Sequence, residues 1–225
     1  MIIKRVDYFI SITIISLFIL WAELSPNSLA DYSREDGFFE NLSAIFFGLS
    51  SLIFGLAIKN NKEYFQSKVG LGMLATLAWV ILMFIFMGEE ISWGQRIFSI
   101  ETPEALMESN LQQEFNIHNL AVVDNTVGGK YRFFSLMLLS FGLIFPIMKF
   151  FTLGKKTLHF FAFPAPSLGL GIITVAAYIF GKYYFETLPM DAASEIREFI
   201  FSVAVLILSI QSAFYPKKAY ILESS

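Results

Sequence analysis

Six stretches of this chain are each apolar for about twenty residues, the length an α-helix needs to cross a hydrocarbon core about 30 Å thick. They fall at about 8–24, 38–58, 70–90, 132–151, 165–185 and 198–215. No other feature constrains the fold so strongly, because lipid offers backbone N–H and C=O groups no partner and a spanning segment must satisfy its own. The rest of the composition agrees. The 225 residues are 56% hydrophobic and include 26 phenylalanines, against about 45–50% apolar usage in soluble domains, and the mean hydropathy is +0.62. The expectation is an all-α integral membrane bundle of about six transmembrane helices, a single domain over residues 1–225 whose first partner is the lipid bilayer.

Several function classes drop out early. No basic face exists for nucleic acid, and the absence of cysteine excludes a disulfide framework, a thiolate metal site and a cysteine nucleophile. The chain has no nucleotide-binding glycine loop, no serine nucleophile elbow and no internal repeat.

Orientation follows from the cations, which collect in short cytoplasmic loops. Lys4, Arg5, Lys59, Lys62, Lys68, Lys149, Lys155, Lys156, Lys217 and Lys218 would lie inside; Arg34, Arg96, Lys130, Arg132, Lys182 and Arg197 would lie outside. Both termini are therefore expected in the cytoplasm. Lys4, Arg5 and the apolar run before Ser28-Leu29-Ala30 loosely resemble a cleavable signal peptide, but Asp7 and Glu23 favour a retained first span. Of the 19 acidic residues only Asp7, Glu63 and Glu223 fall inside, leaving 19 − 3 = 16 on the outer side.

The segment Gly88 to Arg96, GEEISWGQR, follows directly on the apolar run from Val69. Glu89 and Glu90 then stand at the outer boundary of the third span, where charge is penalised and where a helix C-terminus disfavours anions. If the helix continues, Glu89, Trp93 and Arg96 share one face. Glu40 and Asn41 open the second span at the same level, and Glu195 and Glu198 open the sixth. Acids in a first turn complement the helix dipole, and that accounts for Glu40, Glu195 and Glu198, with Ser194 as a cap; the Glu89–Glu90 pair has no such account. The one long connection, about 97–130, offers Thr102 and Pro103 as the start of a short interfacial helix. It also brings Glu114 and His118, spaced so that a helix lets them share a metal or a proton. His159 is read as an interfacial residue near the inner boundary. The expected catalytic group is Glu89, Glu90, Arg96 and His118. The expected metal ligands are Glu90, Glu114, His118 and Glu198. Two histidines on opposite faces cannot build a three-histidine zinc site, so the implied cofactor is a divalent metal held mainly by carboxylates.

GEEISWGQRIF together with AsnLeuGlnGlnGluPheAsnIleHisAsn, residues 110–119, resembles a group of uncharacterised bacterial multi-pass membrane proteins. The likeness covers about 30 residues and implies a bacterial inner (cytoplasmic) membrane location, in which the cation distribution would face the polar cluster to the periplasm or exterior. It brings no activity and so transfers no catalytic residue. Membrane hydrolases related to alkaline ceramidase are a tempting parallel, but this chain lacks the several histidines of their zinc site.

Three functions follow as expectations. The first is a membrane-embedded hydrolase or transferase acting on a lipid or lipid-linked substrate at the outer leaflet, with Glu89 or Glu90 as general base and Arg96 holding an anionic headgroup. The second is a transporter or ion-conducting subunit with an acidic vestibule. It needs polar groups continuing toward the midplane, where only Ser50, Ser51, Thr76, Ser140 and Thr174 are available. The third is a non-enzymatic assembly protein whose outer loop docks another protein.

Overall fold

The computed structural model describes residues 2–34, 36–66, 72–107, 129–184 and 188–221, and every regular element among them is helical. The long elements are α1 (Ile2–Leu24), α2 (Phe38–Asn60), α3 (Gly72–Glu90), α4, α5 (Leu168–Tyr183) and α6 (Met190–Phe214). The fourth, α4, runs as Gly129–Leu139, a π turn Ser140–Ile144, and Phe145–Met148. A single helical turn, Glu104–Met107, follows Pro103.

The helix ends follow local chemistry. Pro26 forces Ser25 out of the helical region, and Ser25 sits at φ −152°, so α1 stops and the short helix Pro26–Tyr32 begins. At the start of α2, Glu40 reaches back to accept the backbone N–H of Asp36, the residue before the N-cap Gly37. At its other end Asn61 Nδ2 donates to Ala57 O at 2.8 Å and to Ser212 O at 3.0 Å, tying α2 to α6. Ser167 caps α5, its hydroxyl accepting Leu170 N–H at 3.3 Å.

Three helices, Val6–Leu24, Phe38–Asn60 and Met73–Glu90, are long and apolar enough to cross a membrane. A fourth joins them if Phe134–Met148 and Thr152–Phe160, bent by 111°, form one broken span. The expected fifth segment contracts to the 16 residues of α5, because Pro164 and Pro166 hold the chain out of helix until Ser167. The expected sixth grows backward to Met190. A helix can carry Asp191, Glu195, Arg197 and Glu198 before its apolar stretch, so its start cannot be read from where hydropathy begins.

The core sits around α6, which packs on α2 along one side and α5 along the other; α3 covers α2, and α1 covers α5. Phe47, Phe54, Ile196, Phe201 and Leu208 are fully buried there. Pro146 lacks the N–H that Gly142 C=O would receive in an α-helix, and the π turn lies immediately before it. Gly142 O lies 2.3 Å from the point a Cβ on Gly171 would occupy. The absence of that atom therefore lets α4 lie flush against α5.

Candidate functional site

The acids gather where α3 ends and α6 begins. One carboxylate oxygen from each of Glu90, Glu195 and Glu198 lies within 4.8 Å of the other two. Glu40, buried at the start of α2, is near enough to add its charge. The charges of Glu198 and Glu195 bear on Glu90, and Ser194 Oγ donates to Glu198 Oε1 at 3.0 Å. Two unit negative charges at this separation, 4.8 Å, repel by about 3 kcal/mol at an effective dielectric of about 20.

That spacing suits a hard cation. Oxygens on opposite sides of one calcium ion stand about 4.6–5.2 Å apart, given metal–oxygen distances of about 2.3–2.6 Å, and about 4.2 Å apart on magnesium. Three carboxylate oxygens within 4.8 Å of one another are close enough for one such ion to bridge.

This geometry overturns the helix-start reading of Glu195 and Glu198. Helix α6 begins at Met190 with Pro189 before it, so Glu195 and Glu198 lie in its second and third turns, beyond the reach of the terminal dipole. Ser194 is likewise no cap. The sequence signal was the i, i+3 spacing of the two acids, which puts them on one face toward Glu90; the mistake lay in placing the helix start.

The helix also does not continue through GEEISWGQR. After Glu90 the chain enters a 3₁₀ turn in which Ser92, Trp93 and Gly94 all have positive φ, at 46°, 53° and 81°. Two consecutive non-glycine residues there store about 1–3 kcal/mol each. The turn folds Trp93 back on α3: its indole Nε1 donates to Glu89 Oε1 at 2.7 Å, and its ring meets Phe84 at 6.1 Å. A Cβ on Gly88 would lie 2.9 Å from that ring, so Gly88 is the seat the indole requires. Beyond the turn, Gln95 Nε2 donates to Thr102 Oγ1, bracing the loop.

Of the expected site residues, Glu90 and Glu198 therefore come together, joined by Glu195, while Glu89 is engaged by Trp93. Arg96 lies in the short helix Gln95–Phe98, and Glu114 and His118 lie outside the described residues. His159 Nδ1 is 2.6 Å from Ile221 O, where it fastens the C-terminal segment.

A second polar centre, read in sequence as a topology marker only, sits at the opposite end. Asp7 on α1 is 5% exposed. Its Oδ2 accepts from Ser167 Oγ at 2.7 Å and its Oδ1 from Gln211 Nε2 at 3.0 Å, and the Lys149 ammonium lies within its electrostatic reach. Ser11 donates to Gly169 O at 2.8 Å, and Asp7 Cβ lies 2.9 Å from where a Cβ on Gly169 would sit. Lys149 Nζ also donates to Ala165 O at 2.5 Å and Lys218 O at 3.1 Å. Polar Asp7 and Ser11 at i, i+4 within an apolar run were the available signal. Beside this centre Tyr64 and Tyr220 pack at 5.5 Å, and burial pushes both phenols up to about 12.

No protein-family model, curated protein or solved structure matches this chain. Its role is argued from geometry.

Proposed function

We propose that this chain is a six-span protein of a bacterial inner membrane, with both termini cytoplasmic, that holds a divalent cation at its outer rim. Glu90, Glu195 and Glu198 are the ligands and Glu40 reinforces the negative field. The cation serves a hydrolase or transferase acting on a lipid or lipid-linked substrate. The observation that carries this reading is the approach of three carboxylates from two helices to within 4.8 Å of one another, an arrangement whose mutual repulsion a cation removes. The cation split between loops supports the orientation. A cation held there supplies Lewis acidity toward a carbonyl or phosphoryl oxygen and an acidified bound water. Glu89, oriented by Trp93, stands next to it as the candidate base, and Arg96 and His118 are the further groups the sequence nominates.

Transport is the weaker reading because the midspan hydroxyls are spent locally. Ser50 donates to Phe46 O, Ser51 to Val80 O and Thr174 to Gly171 O, while Thr76 pairs with Tyr220. The test is metal analysis of purified protein, wild type against Glu198→Gln and Glu90→Gln, with phospholipid and lipid-phosphate turnover measured alongside. Stoichiometric metal that disappears in both variants, together with cation-dependent turnover, is the expected result. Metal-free protein that binds no added manganese or calcium sinks the proposal.

A further inference from the structure

Helices α3 and α4 stand apart. α3 packs on α2 and α4 on α5, and an apolar groove of about 420 Å³ lies between the two. Its α3 side is built on Ala75 and Ala78, small side chains one turn apart, with Ala78 exposed toward the gap. Aromatic rings form much of the rest: Trp79 meets Phe141 at 5.9 Å and Phe163 at 6.1 Å, and Phe141 meets Phe201 at 5.4 Å. Leu82, Leu136, Met137 and Phe145 also line it, and Ser140 brings a hydroxyl. The gap has a structural cause, since the glycine contact between Gly142 and Gly171 draws α4 onto α5 and away from α3.

What fills such a space follows from where it lies. One wall comes from Met73–Glu90, apolar and long enough to cross a bilayer, and the other from Phe134–Met148, which reaches that length only jointly with Thr152–Phe160 across the 111° bend. Apolar cavities exclude water, and one of about 150 Å³ takes up a benzene-sized molecule, so a groove of about 420 Å³ has room for a run of methylenes. The groove ends short of the acids: on α3 its lining stops at Leu82, eight residues or about 12 Å along the axis before Glu90, and on α6 Phe201 follows Glu198 by three residues.

We propose that this groove seats the hydrocarbon chain of a phosphate-bearing lipid whose headgroup meets the cation held by Glu90, Glu195 and Glu198. The headgroup half rests on the function proposed above; the chain-binding half stands on the groove alone. Three carboxylates repel a bare phosphate, and a cation between them reverses the sign. Cation and anionic lipid must therefore strengthen each other's binding by the same factor, whereas a lipid with a zwitterionic headgroup gains much less.

Trp79 reports directly on the groove, being 6% exposed. The experiment uses full-length protein carrying Trp21→Phe and Trp93→Phe, reconstituted with phosphatidylcholine or phosphatidic acid brominated along the acyl chain, with and without calcium. Brominated chains are expected to quench Trp79 fluorescence, and Ala78→Phe, which fills the gap from an exposed position, is expected to reduce quenching severalfold. Ala75→Leu is a smaller filler with the same expected direction, and a retained melting transition shows that either variant is folded. Calcium is expected to raise phosphatidic acid quenching severalfold, and Glu198→Gln to remove that increase while leaving phosphatidylcholine quenching unchanged. Quenching absent from the parent protein, or unaltered in folded filler variants, overturns the groove. Quenching without calcium dependence, in protein that demonstrably binds calcium, overturns the headgroup half alone. Protein that binds no calcium defeats the cation site and leaves the groove standing.

Discussion

The two ends of the bundle handle buried and half-buried carboxylates in opposite ways. At one end Glu90, Glu195, Glu198 and Glu40 face one another; at the other Asp7 faces a hydroxyl, an amide and an ammonium. A charge removed from water needs compensation. Where the chain supplies complementary groups, the acid works as a joint between helices. Where the chain brings acids to acids, their like charges favour a proton or a metal among them. Burial of a carboxylate is thus a poor guide to function, and the sign of its neighbours is a better one.

The contrast predicts opposite consequences for removing a carboxylate. Asp7→Ala leaves Ser167, Gln211 and Lys149 facing a cavity in a dry site, and breaking a buried pair of this kind costs about 3–5 kcal/mol. Thermal denaturation in detergent should therefore show a large loss. Glu198→Gln relieves like-charge repulsion, so without divalent cation its melting temperature should equal or exceed that of the parent. A Glu198→Gln protein as unstable as Asp7→Ala would erase the distinction between the two ends.

Cation should act on one end only. At a concentration about 100 times its dissociation constant, calcium or manganese should stabilise the parent by about 2.7 kcal/mol. Asp7→Asn should keep this increment and Glu90→Gln should lose it, as read by melting with and without chelator.

Gly88→Ala drives a methyl group into the Trp93 ring, an overpacking worth about 1–3 kcal/mol. It should also shift Trp93 emission as the indole leaves Glu89. Trp93→Phe, which keeps the ring and loses the hydrogen bond, should cost only about 1 kcal/mol.

Alkaline titration should act at the Asp7 end through Tyr64 and Tyr220. Tyr64 and Tyr220 keep their protons to about pH 12 in the folded protein, while unfolded phenols lose theirs near pH 10. Stability should thus hold below pH 10 and decline between about 10 and 12. Tyr220→Phe should blunt the decline; an unchanged slope would count against those phenols as its source.

Hydropathy made the helical class and the positions of α1, α2 and α3 legible in the sequence, because an apolar run of bilayer length has little alternative to helix. It misplaced the start of α6, where charged turns precede the apolar stretch. Glu89 and Glu90 stood out correctly as acids at a helix end that disfavours them, but only Glu90 joins the cluster, because the left-handed turn at Ser92–Gly94 turns Trp93 back onto Glu89. No spacing rule gives that turn. Asp7 was hidden for the opposite reason: a single acid near basic residues reads as part of a solvated end, and its partners lie 160 and 204 positions away.

Both centres hang on one rod. Glu198 and Gln211 belong to α6, thirteen residues apart, or about 20 Å along the axis, and Asn60 and Asn61 clasp the last turns of that rod through Ala213 O and Ser212 O. A helix held so firmly at its far end cannot slide to meet an incoming ion, so adjustment at the rim falls to the end of α3 and the strained turn beyond it. The bundle is in this sense a vice with one fixed jaw, and the glycine-flanked tryptophan turn belongs to the jaw that moves.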